Sequence, residues 1–409
     1  LRAAEAVTHW AEAGGYELEV VWDAASTRTL RTGFAEVADR PVSTLSGGEQ
    51  KRLALEVVLR SDADVLLLDE PDNFLDIAGK RWLEEQLRAT PKTVLFVSHD
   101  RELLAGTATK VVTVEADGAW THGGSFLGYA EARSARLDRL DEQHRLHQRE
   151  RARLQAIVKE MKRRASFADN FAPKAKAAES RLRHFDAADG PPPPPKAQSV
   201  DVRLTGGRTG KRAITMEGLV LSGLTDAFDA EVLFGERVAV VGPNGTGKSH
   251  LLRLLAGQEV AHEGRWVLGA RIVPGWFNQT HDHPELFGRR IDDVLAEDLG
   301  RGALMAALRR YELAGAAEQP FETLSGGQQA RFQILLLELG GANLLLLDEP
   351  TDNLDLASAE ALEEGMAAFE GTVLAVSHDR WFLRGFDRFL VFGENCSVVE
   401  SLVPPREIG

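Results

Sequence analysis

Gly242, Pro243, Asn244, Gly245, Thr246, Gly247, Lys248 and Ser249 follow one another in the spacing of a phosphate-binding loop. The glycines let backbone N–H groups turn toward phosphate oxygens. Lys248 then reaches the β- and γ-phosphates, and the Ser249 hydroxyl is a ligand for Mg²⁺. An apolar run at 238–241 precedes the loop and a helical stretch at 249–256 follows it. A helix N-terminus therefore adds its dipole to the attraction for an anion. A ligand-free glycine turn is the competing reading of the bare pattern, and the flanking strand and helix argue against it.

Asp348 and Glu349 end the apolar run 343–347, which places two carboxylates at the carboxyl edge of a strand, where ligands bind in parallel sheets. Asp348 suits the Mg²⁺ shell and Glu349 suits polarising an attacking water. Alone, such a pair also reads as a helix cap. His378, closing the next strand, is a candidate contact to a γ-phosphate, and Gln279, after the run 271–277, is a candidate Mg²⁺ and water ligand.

The same residue types occur earlier in the chain. Leu45-Ser-Gly-Gly-Glu-Gln50 recurs as Leu324-Ser-Gly-Gly-Gln-Gln329, Asp69-Glu-Pro71 as Asp348-Glu-Pro350, and Ser98-His-Asp-Arg101 as Ser377-His-Asp-Arg380, all at an offset of 279. An offset that long means duplicated globular domains, not a solenoid of short repeats. Asp69, Glu70 and His99 are thus the counterparts of Asp348, Glu349 and His378. Apolar or β-branched runs at 64–68, 93–97, 343–347 and 372–376 alternate with helical stretches at 80–88 and 358–369, which predicts α/β domains with parallel sheets.

Residues 131–186 differ in character: 15 Lys and Arg stand against 9 Asp and Glu, so the rest of the chain sums to -20. Leu137, Leu140, Leu154, Val158 and Met161 keep a 3-4 spacing with His144 and His147 in the same seam, and Phe171, Ala175, Ala178, Leu182 and Phe185 repeat it. This predicts an antiparallel helical hairpin with its tip near 164–173. The prolines 191–195 predict a stiff spacer of about 15 Å, at roughly 3.1 Å per residue.

Composition bounds the rest. The chain has 409 residues, 44% hydrophobic and 27% charged, with a net charge of -14 that argues against a surface built wholly to coat nucleic acid. No apolar run approaches the roughly 18 residues of a membrane helix. The single cysteine, Cys396, excludes a disulfide framework and fits a reducing cytosol.

Leu-Ser-Gly-Gly-Gln, with a P-loop upstream and Asp-Glu-Pro then Ser-His-Asp downstream, resembles the ATP-binding cassette (ABC) ATPases. Two cassettes on one chain, an Asn and Leu-Asp after Asp-Glu-Pro, and a charged hairpin linker resemble the ABC-F branch. The resemblance implies an α/β fold of two P-loop cassettes joined by an α-helical hairpin linker. The expected boundaries are 1–130 for the first cassette, 131–200 for the linker with its spacer, and 201–409 for the second cassette. It also implies ATP and Mg²⁺ as ligands, and ATP hydrolysis in which Glu349, His378, Glu70 and His99 are catalytic. Cassettes of this family pair head to tail within one chain, so Gly242–Ser249, Gln279, Asp348, Glu349 and His378 are expected to face Ser46, Gly47 and Gly48, with Asp76 nearby. Ser325, Gly326, Gly327 and Asp355 are the mirrored set, with Asp69 as the mirrored metal ligand.

The branch further implies a cytoplasmic partner, the ribosome, with Lys159, Lys162, Arg163, Arg164, Lys174 and Lys176 contacting rRNA and tRNA, whether in translation control or antibiotic resistance. The alternatives are a hairpin that only spaces the cassettes and, for the whole chain, the ATPase subunit of a transporter. Two departures stand out. Gly242 and Asp348 are 106 residues apart, and that spacing puts a first P-loop about 37 residues before Leu1, so the first cassette is expected to lack its N-terminal part. Between 221 and 233 the sole aromatic is Phe228, a candidate for stacking on the adenine and equally a core residue.

Overall fold

The computed structural model describes residues 8–403 except 13, 116, 117, 189, 192, 196–199, 208, 209, 279–282 and 284, and of 169 only the backbone. Two compact units result, one spanning 1–107 with 198–409 and the other Ala108–Ala197.

The first unit opens with helix α1 (Gly15–Leu30), followed by α2 (Gly47–Arg60), β1 (Val65–Asp69), α3 (Ile77–Ala89), β2 (Thr93–Val97) and α4 (Arg101–Thr107). Helix α2 starts where it does because Ser46 and Glu49 form a capping box, each side chain satisfying a backbone donor of the other. β1 and β2 run parallel, with Val65 opposite Thr93 and Asp69 opposite Val97. Successive strand residues point to opposite faces. Leu66 and Leu68 pack with Leu55, Leu75, Leu83 and Leu103, while Leu67, on the other face, is 74% exposed.

The second unit holds the hairpin β3 (Lys110–Glu115) and β4 (Gly118–Gly123), then α5 (Tyr129–Ala165) and α6 (Ala172–Ala187). The seam residues of α5 and α6 are half-buried and Ala175 is fully so, while the His147 ring stacks on Phe185 at 4.6 Å. Pro192 of the proline run lies outside the described residues, and its neighbours 191 and 193–195 belong to neither helix nor strand.

The chain then returns to the first unit. β5 (Arg212–Leu221), β6 (Phe228–Leu233) and β8 (His262–Leu268) form an antiparallel sheet. β7 (Arg237–Val241) leads into helix α7 (Lys248–Leu255). After β9 (Pro274–Phe277) come α8 (Ile291–Ala296), α9 (Arg301–Arg310), α10 (Gly326–Leu339), β10 (Leu344–Asp348), α11 (Leu356–Ala368), β11 (Thr372–Val376), β12 (Arg388–Phe392) and β13 (Val398–Ser401). A six-stranded sheet has the order β13-β12-β7-β11-β10-β9, parallel except for β13.

That sheet is covered on both faces, which is why β10 is apolar at four successive positions. Leu345 and Leu347 pack toward α8–α11, and Leu344 and Leu346 toward β5, β6, β8 and α7. Leu344 opposite Thr372 and Asp348 opposite Val376 repeat the β1–β2 register at the offset of 279. Among the described residues, β1 and β2 have no counterpart of α7 or of the β5–β6–β8 sheet, so their second face lies open. No helix among the described residues is long and apolar enough to cross a membrane.

Leu83→Ala, which removes a fully buried side chain from the first cassette's core, is expected to cost about 2–5 kcal/mol, while Val65→Ala on the open face should cost less than about 0.5 kcal/mol. Urea unfolding followed by circular dichroism checks the pair; equal costs would contradict the one-sided packing.

Candidate active site

Three parallel strands deliver the chemistry to one edge. β7 ends in the loop 242–247, β10 in Asp348 and Glu349, and β11 in Ser377 and His378. The loop depends on glycine at its first position: Gly242 has φ +151°, and a Cβ there would lie 2.2 Å from the Phe392 carbonyl oxygen. Lys248 is buried and donates to the Gly242 and Pro243 carbonyls at 2.7 Å each, which curls the loop around its ammonium. The Ser249 hydroxyl donates to Asp348 Oδ1 at 3.0 Å.

Asp348 and Glu349 are almost fully buried. Burial, with nearby Asp352 adding repulsion, pushes Glu349 up to about 8, and burial pushes Asp348 up to about 6. Burial also lowers Lys248 and holds His378 well below its usual range, so the imidazole is neutral. The His378 backbone N–H donates to Glu349 Oε2 at 2.9 Å, and Nε2 lies 3.5 Å from Glu349 Oε1. Glu349 itself has φ 46°, a left-handed conformation costly for a residue with a Cβ, and Glu70 repeats it at φ 44°.

Asn244 joins the two cassettes. Its Nδ2 donates to the Phe74 carbonyl of the first cassette at 3.0 Å, leaving Oδ1 to accept from His378 Nε2 at 3.0 Å. Gly48 comes close beside it: a Cβ there would meet the Phe74 carbonyl oxygen at 2.9 Å and Asn244 Nδ2 at 3.4 Å. The Ser46, Gly47 and Gly48 turn at the start of α2 thus faces the loop, and a cleft of about 630 Å³ lies between them, lined by Asn244, Gly245, Gly247, Lys248, Ser249, Glu349 and His378 on one side. Glu70, His99, Gly326 and Gly327 line the same cleft.

The mirrored set is more open. Asp69 and His99 are exposed, and His99 Nε2 lies 3.3 Å from Glu70 Oε1. Ser325 caps α10 with Gln328 as Ser46 caps α2, and its side chain is exposed. Asp76 and Asp355 are N-caps, accepting from Gly79 N and Ser358 N at 2.8 Å, and neither lines this cleft. Gln279 lies outside the described residues. Phe228 is buried edge-on against Phe392, so it is a core residue and not a platform for a base. Motif reading passed over Lys80 and Asp72, which also line the cleft together with Asp352; the signal for the two acids was in the short stretch after each Asp-Glu-Pro.

A glycine-rich loop whose carbonyls close on a lysine, acids at the adjacent strand end and a facing Ser-Gly-Gly helix start define an ATP-binding cassette. The family model described as "ABC transporter" matches residues 11–73 and 226–352. An "antibiotic resistance protein" of Mycobacteroides abscessus is 51% identical over 99% of this chain and 78% of its own length. "ABC transporter F family member 2" of Arabidopsis thaliana is 32% identical over 86% of this chain and 53% of its own, and an ABC transporter ATP-binding protein of Bacillus subtilis is 33% identical over 91% and 60%. An archaeal ribosome recycling factor, solved with a ribosomal stalk protein, shares the fold at a TM-score of 0.55 and 20% identity, covering 91% of this chain and 67% of that one. The chain belongs to the ATP-binding cassette ATPases, in their F branch.

Because Glu349 rises from 4.5 to about 8 on folding, the folded state binds the extra proton between those values, and stability falls as pH rises through that window. The nucleotide-free protein is expected to lose Tm between about pH 5 and pH 8. Glu349→Gln should raise Tm at about pH 8 and change it little at about pH 5. Native and variant slopes that coincide in differential scanning fluorimetry would contradict the buried, proton-holding glutamate.

Proposed function

We propose that the chain clamps ATP between the P-loop of the second cassette and the signature turn of the first, hydrolyses it, and uses the closing and opening to act on the ribosome. The observation that carries the clamp is Asn244, whose one amide touches both His378 and the facing Phe74 carbonyl. A γ-phosphate set beside it would be reached by Lys248, by the N–H groups of the loop and by those opening α2.

Lys248 exchanges its carbonyl partners for phosphate oxygens, which restores a charge that burial opposes. Glu349 in its ionised form, which the bond from the His378 backbone favours, accepts the proton of the attacking water, and that bond fixes the carboxylate's direction. His378, neutral and donating through Nε2, stabilises charge on the transferring group without repelling Lys248. Ser249 and Asp348 fit a hard divalent cation: both ligands are oxygens, they are already 3.0 Å apart, and the buried carboxylate lacks a full counter-charge. No group of three or more acids, histidines or cysteines set to hold a metal occurs among the described residues, and nucleotide phosphates and water would serve as further oxygen ligands beside Ser249 and Asp348. Bound Mg²⁺ would supply charge neutralisation for the leaving diphosphate.

The name of the 51% identical relative supports a part in antibiotic resistance, and the hairpin tip supports the ribosomal part. Phe167 at that tip is 85% exposed, and Arg164 and Lys174 flank the Phe171 ring at 5.9 and 5.1 Å. A basic surface with exposed rings suits phosphates and unstacked bases in RNA. Lys162 pairs with Glu179 at 2.5 Å, and Arg163 and Arg164 share Glu160, whose carboxyl they hold down at about 2. Lys159 and Lys176 make no ion pair among the described residues. Such a role places the protein in the cytoplasm.

Lys248→Ala is expected to weaken ATP binding by at least about 100-fold, roughly 2.7 kcal/mol, measured by fluorescent-nucleotide titration. Glu349→Gln together with Glu70→Gln should retain ATP and co-sediment with ribosomes. Replacing all six hairpin cations by Glu should abolish that sedimentation, which for the native hairpin should weaken steeply as salt is raised. Retention on membranes in place of ribosomes, or salt-independent binding by the six-fold variant, would overturn the ribosomal reading.

A further inference from the structure

Glu84 and Glu363, Asp100 and Asp379, and Arg101 and Arg380 are three further pairs at the offset of 279. Across the junction of the cassettes they meet with partners exchanged. Arg101 Nη1 of the first cassette donates to Glu363 Oε2 on α11 of the second at 3.1 Å, and Nη2 lies 3.6 Å from Asp379 Oδ2. Arg380 of the second cassette donates to Glu84 on α3 of the first and lies 3.8 Å from Asp100 Oδ1. The same interaction made twice, each copy reversing the roles, is the mark of an interface related by a two-fold axis. The Arg101 side chain is 4% exposed and that of Arg380 16%, so both guanidiniums act in a medium where a planar fork on a carboxylate is directional.

The symmetry is incomplete: Arg384 of the second cassette pairs with Glu102 of the first with no reciprocal copy, Ala105 and Trp381 standing at the offset positions, and a second break lies at Lys80. Lys80 stands where the duplicate has Ala359. Its Nζ is 3.0 Å from Asp100 Oδ2, and Asp72, Asp352 and Asp379 act on it electrostatically. The junction thus brings carboxylates from both cassettes around one lysine, and Asp100 and Asp379 are the residues directly after His99 and His378.

We propose that Arg101–Glu363 and Arg380–Glu84, with Lys80 between them, form a latch that sets the head-to-tail register of the cassettes and so the gap between Lys248 and Gly48 that ATP spans. This rests on the clamp reading above. The latch residues touch no reacting atom; they are positioning residues, acting through the segments that carry His99 and His378. Two reciprocal pairs resist sliding in either direction along the junction, and Lys80 keeps the facing acids from driving it apart.

The test is a charge swap followed by steady-state ATPase kinetics of the intact protein. Arg101→Glu and Glu363→Arg singly are expected to raise KM for ATP about tenfold with kcat changed less than about threefold, and the swapped double variant to return KM to within about threefold of native. Arg380→Glu with Glu84→Arg should behave alike. If Arg101→Glu does not fold, Arg101→Lys keeps the charge, loses the fork and is expected to raise KM about threefold. A swap no better than the worse single variant, or an unchanged KM in Arg101→Lys, would overturn the latch. Gel filtration of Glu349→Gln with ATP separates the two ideas. No retained nucleotide defeats the clamp itself, whereas retention undiminished by adding Arg101→Glu defeats the latch alone.

Discussion

Lys248, Asp348 and Glu349 are buried side by side, and the protein alone leaves each of them poorly charged. The lysine is pushed toward its neutral form and the acids toward theirs, all by loss of water. A triphosphate with a divalent cation supplies what each lacks: anionic oxygens for the ammonium, a cation for Asp348, and a water for Glu349 to hold. Each of the three groups is left with an electrostatic need that an anion or a cation of the right charge would meet. The sheet edge, the curled loop and the left-handed turn at Glu349 serve to hold these groups out of water until the ligand arrives.

The same logic explains why the second cassette's set is enclosed while the first cassette's is open. Glu349 is enclosed because β10 lies in a sheet covered on both faces. Glu70 has the same backbone turn and a similar histidine contact, yet β1 is covered on one face only, and His99 remains half in water. Equal motifs thus occupy unequal dielectric surroundings.

Much of this was legible in the residues. The loop 242–249, the acids at the end of β10 and the doubled motifs are local: backbone conformation and strand position follow from a few neighbours. Even the strand register repeats at the offset visible in the motifs. The helical hairpin was legible from its seam. What escaped was of two kinds. Asp76 and Asp355 each use one carboxylate oxygen as a helix cap, a local role that spacing does not reveal. The pairs across the junction join residues 262 and 296 positions apart, and no local rule connects Glu84 to Arg380 or Arg101 to Glu363. The available signal was their shared offset, Arg101 and Arg380 closing the Ser-His-Asp-Arg repeat while Glu84 and Glu363 lie outside the repeated motifs. Phe228 was open between a base platform and the core, and packing against Phe392 decided it.

The open face of β1 and β2 has a consequence for its surroundings. Val65, Leu67, Leu95 and Val97 stand in a contiguous apolar strip, each more than half exposed. A strip of this kind is apolar surface that folded proteins keep covered, so whatever packs against β1 and β2 would meet four aliphatic side chains on that face.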